Sequence, residues 1–405
     1  MTSDTASDRT RSYVERANDL EPAPLHAELR AGVCPVHHVT DHEPDFDVLS
    51  HHADVLAALR SPALWRNGDG PGVFVQRGGV LGSADDPDHR RQRSVLNDDF
   101  RPARIARLVP ALEAALDELW VPFLEPGEAD VVPLFAFAFP ASAIALLLGV
   151  HPEDRHHFHE WADAIVAALG GGDLVAYEAA THAVWDYVDR LVDERLALHA
   201  RGDELPDDVL STMTLAHLAG ELSRVEVRRL GHQLLVAGHE TTASLISAMF
   251  HRLGQHPELL VQLREQPHLV DAAVEEILRF DSPVQGLFRT NAEQCEIAGV
   301  AFEPGSKVQL LYASANRDPD LWDHPDELRF DRDPRHLRTH LAFGWGVHHC
   351  IGASLARLEG RLALRRIVAG LESIELIGDP TPSAPFILRG FSSLTVRWRP
   401  LLIAE

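Results

Sequence analysis

Lysine is almost missing from this 405-residue chain: Lys307 stands alone, and every other basic residue is an arginine. Arginine makes directed, bidentate contacts better than lysine, so the cations here suit fixed partners. Cysteine is scarce too. Cys34, Cys295 and Cys350 lie far apart with no CxxC pair, which excludes a disulfide framework or a four-ligand zinc site built from them and fits a reducing cytoplasm. Positive charge is short overall, 37 Lys+Arg against 61 Asp+Glu, and the net −24 disfavours a surface that tracks nucleic acid or anionic lipid. The opening MTSDTASDRTRSYVER has no apolar h-region, so no signal peptide is read. Internal repeats and Gly/Ser or Pro-rich linkers are missing as well, which predicts one domain over residues 1–405.

Long apolar runs are limited to Val131 to Val150, VVPLFAFAFPASAIALLLGV, about the length of a bilayer-crossing helix. Pro133 and Pro140 each remove a helix donor, leaving Ala141 to Gly149 as a helix of roughly 14 Å, about half the hydrocarbon thickness. A buried core helix is expected there, and no membrane span. Helical patterns dominate from about Asp86 to Phe280. Short β-like runs occur near Phe46 to Leu49, Cys295 to Ile297, Val308 to Tyr312 and Leu394 to Trp398. The expected class is mainly α with a minor β-sheet.

Ser223 and Glu226 form a capping-box pattern opening a helix that runs to about Leu253, where Gly254 and Pro257 stop it. Val227, Leu230, Leu234, Ala237, Thr241 and Leu245 recur at helical spacing and predict one buried face. In its middle sits Ala237-Gly238-His239-Glu240-Thr241-Thr242. A glycine costs roughly 1 kcal/mol against alanine, and two adjacent β-branched threonines add more. A local deformation with something bound against it is the expectation.

The run Phe343-Gly344-Trp345-Gly346-Val347-His348-His349-Cys350-Ile351-Gly352 places three glycines before an Ala/Leu/Arg-rich helical run, so backbone there must approach something flat and large. Cys350 is expected where the helix begins, and helix amides favour a thiolate, making it a metal ligand or nucleophile. Zinc held by His348, His349 and Cys350 is a weaker alternative, since adjacent residues rarely point at one ion and a fourth ligand is not evident.

FGWGVHHCIGASLAR resembles the haem-binding signature of the cytochrome P450 family, FGxGxHxCxGxxLAR, with every fixed position filled. The resemblance, spanning about Asp86 to Arg357, implies the family's single-domain, mostly helical prism fold with haem b, iron protoporphyrin IX. It makes Cys350 the proximal ligand of the iron, flanked by Phe343 and Gly344. Glu276 and Arg279 in EEILRF are similar to the family's ExxR pair, with Arg329 expected to close a three-charge cluster. AGHETT resembles the oxygen-binding segment. It implies that Ala237 and Gly238 lie against the haem and that Glu240 and Thr241 relay protons during oxygen activation. In DPDHRRQR, Asp86 can N-cap and Pro87 can take the first helical position, setting His89 and Arg93 one turn apart. That segment is similar to the family's haem-edge helix, and His89, Arg93, Arg289 and His348 are the implied propionate partners.

The implied reaction is monooxygenation, using O2 and two electrons delivered by ferredoxin and ferredoxin reductase, because the chain leaves no room after the haem region for a flavin or iron–sulfur domain. A peroxide-driven enzyme, or one that couples or isomerises its substrate without oxygen insertion, stays open. The resemblance lines the distal pocket with Val73, Phe74, Val75, Val236, Ala237, Val284, Leu287, Phe288, Phe386, Ile387 and Leu388. Nearly all are apolar, which predicts a hydrophobic small molecule, hydroxylated by default. Gln76, Arg77 and Gln285 are the exceptions that could hold a polar end. Arg335, Arg338, Arg361, Arg365, Arg366 and Arg90 are expected to form a basic patch for the electron donor.

Overall fold

The computed structural model describes residues 11–151, 154, 161, 165, 174–383 and 385–401. Its principal elements, in chain order, are β1 (Val36–Val39), β2 (Phe46–Leu49), β3 (Trp65–Arg66), α1 (Asp88–Leu96), α2 (Val109–Leu124), β4 (Glu128–Asp130), α3 (Ala138–Leu148), α4 (Leu174–Arg201), α5 (Arg224–Gln255), α6 (Val270–Asp281), β5 (Leu287–Asn291), β6 (Cys295–Ile297), β7 (Val300–Phe302), β8 (Lys307–Leu310), α7 (Ala353–Gly370), β9 (Leu371–Leu376) and β10 (Thr395–Pro400). Helix dominates, as composition and periodicity predict. The chain packs as two compact units, each assembled from separated stretches: residues 1–85, 275–350 and 381–389, and residues 86–274, 351–380 and 390–405.

The first unit holds a five-stranded sheet in the order β1-β2-β8-β5-β3. β2 and β8 run parallel, Asp47 opposite Val308, while β5 and β8 are antiparallel, Leu287 opposite Leu310. All four residues of β8 are buried, and so are all but the first of β5. Strands covered on both faces do not alternate apolar and polar, and for that reason β5 is not visible in the sequence pattern. Phe46, Phe288 and Phe386 meet edge-on or stacked within 6.3 Å, and Val39, Val48 and Val73 pack with them in one apolar cluster.

The second unit is built around α5. Its Ser223 capping box is formed on both sides, and the helix continues for 32 residues to Gln255. The apolar run settles as a core helix: Pro133 lies in a π-helical turn, Val132–Ala136, and α3 ends at Gly149 in the left-handed region, φ 77°. No helix among the described residues is long and apolar enough to cross a membrane. A three-stranded antiparallel sheet, β4-β10-β9, completes the unit.

Candidate active site

In the first unit the glycine loop does what its composition predicts. Gly344 and Gly346 adopt φ 65° and 71°, a region that penalises any side chain, and a Cβ on Gly346 would stand 3.0 Å from the Leu59 carbonyl oxygen. The Cys350 amide donates to the Phe343 carbonyl at 2.9 Å, closing the loop, and residues Gly346–His348 form a single 3-10 turn. Trp345 and Cys350 are exposed, while Phe343 and His348 are half-buried. The helix starts later than expected: Gly352 is its cap and Ala353 its first residue, so Cys350 sits on the turn ahead of it. His348, His349 and Cys350 do not converge as a metal-ligand trio. Among the described residues only His51, Asp318 and Asp320 do so, which removes the zinc alternative at the loop.

Behind the loop, Glu276 and Arg279 are wholly buried and joined side-on at 2.7 and 2.8 Å. Arg279 also donates to the carbonyls of Asn316, Pro325 and Glu327. The third charge is not Arg329. Its guanidinium lies outside against Asp331, and only its backbone amide reaches Glu276. Arg332, three residues on, supplies the cation at 3.0 Å. The Arg332 side chain is buried against Glu276, whereas that of Arg329 is turned outward.

Arg289 on β5 is 4% exposed. It donates to the Phe288 carbonyl at 2.9 Å and meets the Tyr312 hydroxyl at 3.5 Å. No carboxylate among the described residues pairs with it, although a buried cation is costly without a counter-charge. An anionic carboxylate from a cofactor fits that need. An exposed soft sulfur on a glycine-framed turn, with no other cysteine beside it, fits one iron position of a haem rather than a closed protein metal site.

The pocket-forming segments of this unit also come together. Gln285 N–H donates to the Ile387 carbonyl and Arg389 N–H to the Pro283 carbonyl, each at 2.8 Å, so residues 283–285 run beside 387–389 and Val284 bridges Leu388. Val73, Phe288, Phe386 and Ile387 are buried as packing, whereas Val284, Leu287 and Leu388 are half-buried and Phe74 and Val75 exposed. The polar exceptions are committed elsewhere. Gln285 donates to the carbonyls of Asp281 and Ser282, and Arg77 pairs with Asp69 at 2.8 Å.

In the second unit α5 carries Val236, Ala237, Gly238, Glu240 and Thr241 without interruption of the α-helix, so the expected deformation is not found. Gly238 has a packing reason instead: a Cβ there would lie 2.8 Å from Ile144 Cδ1 on α3. Thr241 Oγ1 donates back to the Ala237 carbonyl at 3.0 Å. The predicted stripe is buried at Val227, Leu230, Leu234 and Leu245, but Ala237 is exposed and Thr241 half-exposed. Ala237 therefore leaves a small apolar surface uncovered in the middle of α5. His239 points the other way, its Nε2 3.1 Å from the Phe137 carbonyl.

α1 starts one residue later than expected, at Asp88 with Pro87 as cap residue. Asp86 instead bonds Arg90 at 2.7 Å and lies 3.4 Å from His89 Nδ1. His89 is buried and Arg93 half-buried, one turn apart. Arg91 and Gln92 reach Glu226 at 2.5 and 3.0 Å, tying α1 to the start of α5.

The family model described as Cytochrome P450 matches residues 165–383. The cytochrome P450 monooxygenase PikC of Streptomyces venezuelae is 34% identical over 94% of this chain and 91% of its own length. The vitamin D(3) 25-hydroxylase of Pseudonocardia autotrophica is 33% identical over 94% of both. Among solved structures, the cytochrome P450 enzyme CxnD, described as acting in C-S bond formation in chuangxinmycin biosynthesis, superposes with TM-score 0.83 and 33% identity over 93% of this chain and 94% of its own.

Proposed function

Because the chain belongs to the cytochrome P450 family and is a haem b monooxygenase, we propose that it oxidises, by default hydroxylates, a hydrophobic small molecule in the cytoplasm with electrons from ferredoxin and ferredoxin reductase. Haem, when bound, supplies the oxygen activation. Cys350 is its thiolate ligand, with Phe343 and Gly344 as neighbouring loop contacts, and Ala237 and Gly238 of α5 are further cofactor contacts. His89, Arg93, Arg289 and His348 hold the propionates. Glu240 takes protons from solvent and Thr241 passes them on.

The apolar character of Phe74, Val75, Val284, Leu287 and Leu388, all of them exposed or half-buried, carries the substrate reading, because a charged group set there without a partner costs several kcal/mol while each buried CH2 gains about 0.8 kcal/mol. Arg77, already paired with Asp69, is a poor anchor for an acid. Titrating the ferric haem from low to high spin with a neutral ester and its free acid tests this. The ester should bind at least as well, and tighter binding of the acid, abolished by Arg77→Ala, would overturn it. The likeness to CxnD favours one second reading, substrate coupling without net oxygen insertion. Product mass distinguishes them by one added oxygen atom.

A further inference from the structure

The chain's one lysine is not at the surface. Lys307 opens β8, opposite Thr290 of β5, and is 8% exposed. Its ammonium donates to three backbone carbonyls, those of Asp69 and Gly70 at 3.2 Å and of Gly72 at 3.1 Å. An ammonium has three donors and no acceptor, so its capacity is used entirely on one loop. An arginine fork is planar and could not point three bonds inward from one atom, which accounts for lysine in a chain that otherwise uses arginine.

The loop closes on itself at its neck. Gln76 N–H donates to the Asp69 carbonyl at 2.8 Å, and Arg77 Nε to the Asp69 carboxylate at 2.8 Å. One further tie is the Phe288 amide, which donates to Pro71 O at 2.9 Å. Beyond the anchored carbonyls the loop presents Phe74 and Val75, 59% and 58% exposed, with the Phe74 ring 6.2 Å from His42. Three carbonyl dipoles converging on one point repel each other unless a cation sits among them.

We propose that Lys307 is a positioning residue for substrate selection, its ammonium pinning the 69–77 loop so that Phe74 and Val75 are held for large apolar ligands. Burial lowers its pKa to about 8, with Asp69 opposing and Arg289 adding to the shift, and the ammonium form therefore still predominates at pH 7. The proposal rests on the reading above that residues 73–75 contact substrate.

The test uses the haem-loaded protein and two iron-ligating azoles, imidazole and the bulky triaryl clotrimazole, each titrated by its Soret shift. Lys307→Met should lower the preference for clotrimazole over imidazole by about tenfold, leaving imidazole affinity within about twofold. Lys307→Arg, which keeps the charge and some donors, should restore part of the preference. Trypsin cleavage after the exposed Arg77 should be faster in Lys307→Met, since loop opening exposes the bond. An unchanged preference with unchanged cleavage overturns the proposal, as does an equal loss for both azoles. Phe74→Ala separates the two readings: if it leaves the preference untouched, the contact reading fails, and accelerated cleavage in Lys307→Met then still establishes the anchor. Should Lys307→Met not take up haem, Lys307→Gln, with two donors, replaces it in the same measurements.

Discussion

Thr241, Arg332 and Arg329 each isolate one physical effect. Thr241 bonds only the carbonyl one turn back, so its hydroxyl is not needed to hold α5 together. Thr241→Ala should leave substrate affinity nearly intact while reducing equivalents are diverted to hydrogen peroxide. Unchanged coupling of electrons consumed to product formed would remove Thr241 from the relay. Arg332→Leu takes one cation from the buried Glu276 carboxylate and should cost about 3 kcal/mol in denaturant unfolding. Arg329→Leu removes only an exposed pair with Asp331 and should stay within about 0.5 kcal/mol. Similar losses in both would contradict the reassigned cluster. At this scale the sequence revealed the chemistry better than the contacts. The glycine loop was legible because left-handed backbone demands glycine, and Gly344 and Gly346 adopt it. Arg332 was not, because which arginine side chain is buried against Glu276 is a tertiary fact.

Among the elements, α5 was legible at its start, where the capping box forms as expected, and nearly so at its end, where the helix passes through Gly254 and stops at Gln255, two residues beyond the expected Leu253 and ahead of Pro257. The expectation of a deformation at Gly238 failed because the glycine relieves contact with Ile144 on α3, a tertiary fact that no local pattern contains. β5 was missed for a related reason, being buried on both faces. The N-terminus of α5 carries a pH dependence. Burial pushes Glu226 up, but Arg91, the Ser223 amide and Gln92 outweigh it and hold the pKa down to about 2. A carboxylate whose folded pKa is depressed adds stability above its unfolded value, near 4.3, and loses it as pH falls toward 2. Glu226→Gln should therefore lower stability by a constant amount above pH ~5, with the gap to wild type narrowing below pH ~4. A gap that stays constant down to pH ~3 would contradict the assignment.

For the whole molecule, the net −24 sets the electrostatics of electron delivery. The expected basic patch is thinner than the sequence suggested. Arg361 and Arg365 face Asp271, Arg366 pairs with Asp117, and Arg90 with Asp86. Arg335 and Arg338, exposed ahead of the cysteine loop, form no ion pair among the described residues. Reduction by an acidic ferredoxin should slow as salt rises past the point where the Debye length is about 10 Å, and Arg335→Glu with Arg338→Glu should flatten that dependence. A rate indifferent to salt would leave the patch without a role in electron delivery. The assignment of Cys350 as thiolate ligand stands beneath all of this, and the ferrous–CO difference spectrum tests it most directly. The wild-type protein should show the strongly red-shifted Soret band of a thiolate-ligated haem, and Cys350→His should take up haem without it, since imidazole donates electrons less strongly. A red-shifted band that survives in Cys350→His would contradict the assignment.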